Sequence, residues 1–145
     1  MKFFSLKNGE YHAENVPLAQ IAKKYGTPTY VYSKQALTTA FERFSFGFSG
    51  TDHLVCFAVK SNPSLAILNT FAKLGAGFDI VSGGELARVM AAGGDPTKVV
   101  FSGVGKTEAE MRFALEVGIF CFDVESASEL DRLNHVAGSM GRSEE

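Results

Sequence analysis

The sequence predicts an α/β fold, the first half of a (β/α)8 TIM-type barrel. Three observations carry that reading. After residue 50 a unit of strand, polar turn, amphipathic helix and glycine occurs four times in tandem. Successive units lie about 20–23 residues apart, with no long crossover of the kind that marks a reversal in an open, doubly wound sheet. A polar residue also stands at or directly after the end of each of the four strands, Lys60, Ser82, Ser102 and Glu125, and parallel α/β folds place their chemistry at that end.

In the first unit the apolar run Leu54-Val55-Cys56-Phe57-Ala58-Val59 predicts a strand over 54–60 that ends on Lys60. Asn62 then caps a helix with Pro63 at its first position. Ile67, Phe71 and Leu74 recur at helical spacing, and Gly75 and Gly77 close the helix. The second strand spans 78–81. Ser82-Gly83-Gly84-Glu85 follows with the spacing of a capping box, then the apolar stripe Leu86, Val89 and Met90. The third strand spans 98–102, and Thr107-Glu108-Ala109-Glu110 is a second capping box ahead of Met111, Ala114 and Leu115. The fourth strand spans 119–124, and Ser126-Ala127-Ser128-Glu129 is a third box ahead of Leu130, Leu133 and Ala137.

The first fifty residues read differently. Leu18, Ile21, Ala22 and Tyr25 share one face of a helix that Gly26 ends, Thr29-Tyr30-Val31-Tyr32 reads as a strand, and Leu37, Ala40, Phe41 and Phe44 mark a second helix. Phe46-Gly47-Phe48-Ser49-Gly50 is a loop with aromatics suited to a contact surface. The expected organisation is an N-terminal segment over 1–32, helix and strand, and a partial barrel domain over 33–145 whose fourth unit is the last. A barrel needs eight units, so the chain reads as the front part of a larger protein, marginally stable or self-associating alone.

Composition bounds the function. Of 145 residues, 46% are hydrophobic and 21% charged, with a net charge of -2, so no broad pull toward nucleic acid or anionic lipid is expected. No apolar run approaches the ~20 residues of a membrane helix. The first ten residues lack the apolar core of a secretory leader. Cys56 and Cys121 lie inside separate apolar runs and read as buried thiols in a reducing, cytoplasmic compartment. His12, His53 and His135 show no ligand spacing, and no metal is expected.

The candidate site lies at the strand ends. Alternation along the strands groups Cys56, Ala58 and Lys60 on one face, Asp79 with Val81, and Cys121 with Asp123 and Glu125. Lys60, Asp79, Ser82, Ser102, Asp123 and Glu125 thus gather on the inner or rim side. A lysine drawn out of solvent there can lose its proton near neutral pH and attack a carbonyl. Set against this, Lys60 and Asp79 can be a structural ion pair, and Ser82, Thr107 and Ser126 can be helix caps and nothing more. Gly103-Val104-Gly105-Lys106-Thr107 fails as a phosphate loop, because the earlier glycine falls on Val100.

Cys56-Phe57-Ala58-Val59-Lys60-Ser61-Asn62-Pro63 resembles the segment that carries the pyridoxal-phosphate lysine in the alanine-racemase-like barrel group. Together with Tyr25-Gly26-Thr27-Pro28-Thr29-Tyr30-Val31-Tyr32, Gly75 to Leu86, Val100 to Thr107 and Phe122-Asp123-Val124-Glu125-Ser126, it is similar in order and spacing to the N-terminal part of the bacterial diaminopimelate decarboxylases. The resemblance implies a lyase of lysine biosynthesis that decarboxylates meso-2,6-diaminopimelate to L-lysine. It implies pyridoxal 5'-phosphate as cofactor, held by Lys60 through a Schiff base, with Asp79, Asn62 and Ser82 as further cofactor-binding residues. It also implies a homodimer, and a second, β-rich domain to which the N-terminal segment belongs and whose remainder is missing from this chain. In that family the ring-stacking histidine, the glycine-rich phosphate loop, the acid facing the pyridine nitrogen and the substrate arginine come from later strands. So does the cysteine donated by the partner subunit. None has a counterpart in these residues. The competing readings are a non-catalytic cofactor-binding or regulatory protein, a decarboxylase of another basic amino acid, and a cofactor-free aldolase that uses Lys60.

Overall fold

The computed structural model describes residues 3–141 and divides into two compact units, Met1–Thr51 and Asp52–Glu145.

The first unit begins with a three-stranded antiparallel sheet: β1 (Phe4–Lys7), β2 (Glu10–Ala13) and β3 (Val16–Pro17), in that order. Lys7 pairs with Glu10 across Asn8-Gly9, whose φ angles are 51° and 80°. Positive φ at both central residues is what a tight two-residue hairpin demands, and Asn-Gly supplies it at least cost. The helices follow where periodicity places them, α1 over Leu18–Tyr25 and α2 over Lys34–Phe46. The strand expected over 29–32 is absent. That stretch has no regular secondary structure, and Tyr30 is 90% exposed. Its β-branched and aromatic residues suit a pleated, half-buried surface, but no described strand pairs with it.

The second unit contains a four-stranded parallel sheet in sequential order: β4 (Cys56–Ala58), β5 (Gly77–Ile80), β6 (Val99–Phe101) and β7 (Cys121–Phe122). Between and after the strands run α3 (Leu65–Lys73), α4 (Gly83–Ala91), α5 (Glu108–Val117) and α6 (Ala127–Ser139). These are the four βα units of the predicted partial barrel. The regular strands are shorter than expected, but Phe120 N–H to Val99 O and Asp123 N–H to Phe101 O extend the β6–β7 ladder at both ends.

Register sorts the two faces. Ala58, Asp79, Val100 and Cys121 lie in one row across the sheet. Alternation turns Phe78, Ile80, Val99 and Phe101 the other way, where all four are completely buried. Ile67, Leu68 and Phe71 of α3, Leu86 and Val89 of α4, and Met111, Ala114 and Leu115 of α5 are buried as well. The Phe57 ring of β4 stacks on Phe71 at 4.3 Å. Met111, Leu115, Leu133, Val136 and Ala137 then join α5 to α6. Each full burial of such a side chain is worth about 1.5–3 kcal/mol.

Gly77, expected to close a helix, lies inside β5. A Cβ there would sit 2.6 Å from Lys98 O and 2.7 Å from Cys56 Sγ. Here glycine meets a demand for space, with a side chain of β4 and the backbone just before β6 pressed against it.

Candidate active site

β4 stops at Ala58, and the backbone turns into a 3-10 helix over Val59–Ser61. Two local bonds hold that turn: Ser61 Oγ donates to Ala58 O at 2.6 Å, and Asn62 N–H donates to Val59 O at 3.0 Å. Strand alternation therefore ends two residues before Lys60. Val59 is wholly buried and Lys60 is exposed. This corrects the expectation of a lysine drawn out of water. Its strand is an edge of the described sheet, so no further strand covers it there. Lys60 keeps the predicted place, at the carboxyl end of the sheet.

Asn62 does not cap the helix. Its Oδ1 accepts from Ser64 N–H at 3.0 Å, and α3 begins at Leu65, two residues beyond Pro63. Such an Asx turn competes with helix entry and delays it. Ser82 serves as the N-cap of α4, accepting from Glu85 N–H at 3.2 Å.

The three Ser/Thr-x-x-Glu segments all start helices, in two ways. Around α5 the box is complete: Thr107 accepts from Glu110 N–H, and Glu110 Oε2 accepts from Thr107 N–H at 3.0 Å. At α4 and α6 the glutamate reaches one residue further back. Glu85 Oε2 accepts from Val81 N–H at 2.7 Å, and Glu129 Oε2 from Glu125 N–H at 3.2 Å. Glu110 also accepts from Gly83 N–H at 2.8 Å, so it joins the starts of α4 and α5. The Gly83 and Thr107 amides hold its carboxyl below the ordinary value.

Asp79 differs from every other acid near the strand ends. It is half-buried, and its Oδ1 is buried with no hydrogen-bond partner among the described residues. Buried polar atoms are satisfied almost everywhere in proteins, and an orphaned acceptor marks a place where a donor belongs. Burial pushes the Cys56 thiol up and Asp79 adds to the effect; burial and then Asp123 do the same at Cys121. Further along the rim, Ser102 Oγ donates to Asp123 Oδ2 at 3.0 Å. Glu125 is exposed.

Sequence reasoning missed Lys106. It is 2% exposed, and its Nζ donates to Gly103 O (2.7 Å), Asp123 O (2.6 Å) and Glu129 Oε1 (2.6 Å). A buried lysine needs such a cage. Burial alone pushes the Glu129 carboxyl up, but the bonds from Lys106 and from the Glu125 amide outweigh it, and the net direction is down. The signal available in the sequence was a lysine before a capping box, with no apolar reason to be there.

Comparison with known proteins places these features in a family. Residues 34–142 match the family model described as pyridoxal-dependent decarboxylase, pyridoxal binding domain. The chain is 57% identical over 141 residues to the diaminopimelate decarboxylase of Pseudomonas aeruginosa, covering 97% of this chain and 34% of that protein. It is 58% identical over 142 residues to that of Vibrio cholerae, covering the same shares. It also matches the crystal structure of diaminopimelate decarboxylase from M. jannaschii in co-complex with L-lysine. There the TM-score is 0.89 and the identity 35%, over 95% of this chain and 33% of that one. The chain thus spans about a third of the length of the relatives it matches.

The cofactor those names imply can be tested against the residues present, and they fit it. A primary amine stands at a strand terminus, and a buried carboxyl oxygen in the adjacent strand lacks a donor. Pyridoxal phosphate supplies an aldehyde that an amine can condense with and a ring that takes up the electron pair a departing carboxylate leaves. An amine at that place would condense with such an aldehyde, and the donorless Asp79 oxygen would accept from a protonated nitrogen brought beside it. With that lysine at a strand end of four barrel units, the chain belongs to the pyridoxal-dependent decarboxylases, and residues 34–142 are their pyridoxal-binding domain.

Proposed function

We propose that this chain forms the lysine-bearing part of an enzyme that decarboxylates meso-2,6-diaminopimelate to L-lysine and carbon dioxide. The observation that carries the proposal is the buried, donorless Asp79 Oδ1 at the sheet end that bears Lys60. The names of the 57–58% identical relatives and the lysine co-complex support this substrate over other basic amino acids. In this reading Lys60 would hold the cofactor through its Nζ, and the same amine, once free, would carry a proton to or from the reacting carbon. Asp79 stabilises positive charge beside it. Asn62 and Ser82 support the site indirectly, by shaping the turn after β4 and the start of α4. A domain boundary near residue 33 is part of the proposal, supported by the start of the family match at residue 34. So are a homodimeric enzyme and a cytoplasmic location. Among the described residues no helix is long and apolar enough to cross a membrane.

The exposure of Lys60 favours a second reading for these residues taken alone, a cofactor carrier without turnover. One experiment addresses both. The chain is incubated with pyridoxal 5'-phosphate, reduced with borohydride and mapped by mass spectrometry, while carbon dioxide release from meso-diaminopimelate is followed. The pyridoxyl group should concentrate on Lys60 over the exposed Lys23 and Lys73, with no measurable gas. Label spread evenly over surface lysines sinks the assignment of Lys60. Release of carbon dioxide by these 145 residues overturns the carrier reading.

A further inference from the structure

We propose that Lys106 is a positioning residue: with Glu129 it clamps the carboxyl ends of β6 and β7 so that Ser102 and Asp123 form one fixed wall of the site. The inference rests on the function proposed above and adds a role for residues outside it.

All three protons of the Lys106 ammonium are used. Two go to main-chain carbonyls, those of Gly103 and Asp123, at 2.7 and 2.6 Å. Gly103 follows Ser102, and Asp123 is the acceptor of the Ser102 hydroxyl at 3.0 Å. One cation therefore grips the backbone at, or next to, both members of the rim pair. The third proton goes to Glu129 Oε1, whose other oxygen holds the Glu125 amide. The turn from Asp123 to Ser126 is thus held from two sides, because Ser126 Oγ accepts from Glu129 N–H at 3.2 Å. Phe101 closes the clamp, its ring centroid 5.7 Å from the ammonium.

This is costly chemistry for an ordinary loop tie. A dry ion pair repays its desolvation only with good geometry and complete hydrogen bonding, and apolar residues of similar size often do as well for stability. What apolar residues cannot do is hold two carbonyls at a set separation. The clamp spans the last two strand ends of the rim whose other members are Lys60 and Asp79, so its rigidity reaches the cofactor side of the sheet through Ser102 and Asp123.

Lys106→Met alone strands the Glu129 charge and can unfold the chain, so the test uses the pair variant Lys106→Met with Glu129→Leu. Backbone 15N relaxation is measured on it and on the unmutated chain. In the unmutated chain, residues 103–106 and 123–126 should be as ordered as α5 and α6. In the pair variant, both segments should lose order together while the helices keep theirs. The share of borohydride-trapped pyridoxyl found on Lys60 should fall toward that of the exposed Lys23 and Lys73. Loops that are loose in the unmutated chain, or that stay ordered in the pair variant, overturn the clamp. Loops that loosen with no change in trapping overturn its link to the site. Even labelling of all lysines in the unmutated chain defeats the function proposed for Lys60 and, with it, the purpose assigned to the clamp.

Discussion

The two units are held together by different physics. In Asp52–Glu145 each of the helices α3 to α6 contributes buried residues, and Phe78, Ile80, Val99 and Phe101 of the sheet are fully dry. In Met1–Thr51 neither helix buries a residue, and among the described residues Ala13 and Ser33 alone are buried. What holds the smaller unit is polar. Glu14 Oε1 accepts from Ser33 Oγ at 2.7 Å and from Gln35 N–H at 2.8 Å, tying the turn after β2 to the start of α2. Lys7 Nζ donates to Glu14 O and Asn15 Oδ1. Burial gives the larger unit a reserve that individual hydrogen bonds, each about 0.5–1.5 kcal/mol net, do not give the smaller one.

The sharpest way to break this comparison is a matched pair of truncations. Phe78→Ala in the dry sheet should cost about 3–5 kcal/mol in chemical denaturation. Phe46→Ala, at a ring 77% exposed, should stay within about 0.5 kcal/mol. Comparable losses at the two positions would mean that the smaller unit has a core of its own.

Acid sharpens it next. The Gln35 amide and the Ser33 hydroxyl hold the Glu14 carboxyl below its ordinary value of 4.5. A depressed carboxylate stabilises fully above the unfolded value, and that contribution is lost as pH falls through the depressed one. Glu110 has the same sign, from the Gly83 and Thr107 amides. Followed by NMR, the Gln35 and Gly83 amide shifts should both titrate with midpoints below 4.5, and resonances of the first unit should broaden first on acidification. A Gln35 midpoint at or above 4.5 would remove the Glu14 tie between the turn after β2 and the start of α2.

The smallest effect concerns a cap. Ser82→Ala removes one acceptor at the start of α4 and should cost about 1 kcal/mol, with no change in the labelling of Lys60. A drop in that labelling would give Ser82 a direct part in the site.

Much of the larger unit was legible because its signals are local. Apolar residues at period two and three to four, a serine or threonine three residues before a glutamate, and a glycine at each helix end encode strand, start and stop within a few positions of one another. The Asn8-Gly9 hairpin is equally local, since both residues accept the positive φ that a two-residue turn requires. The strand expected over 29–32 failed for the opposite reason. Its residue types suit a sheet, but a strand exists only where another chain segment offers a ladder.

The site was less legible. The sequence alone determined that Lys60 follows an apolar strand, that Asp79 sits on the face opposite Phe78 and Ile80, and that Glu85, Glu110 and Glu129 belong to helix starts. Those are consequences of side-chain direction within one element. Only the tertiary structure decided that Lys60 is wet, that one oxygen of Asp79 is dry and lacks a donor, and that Glu110 also binds Gly83, 27 residues away. It alone decided that Lys106 is caged by partners as far as 23 residues along the chain. Whether a polar atom meets water or another group depends on what remote segments bring against it, and no local pattern carries that information.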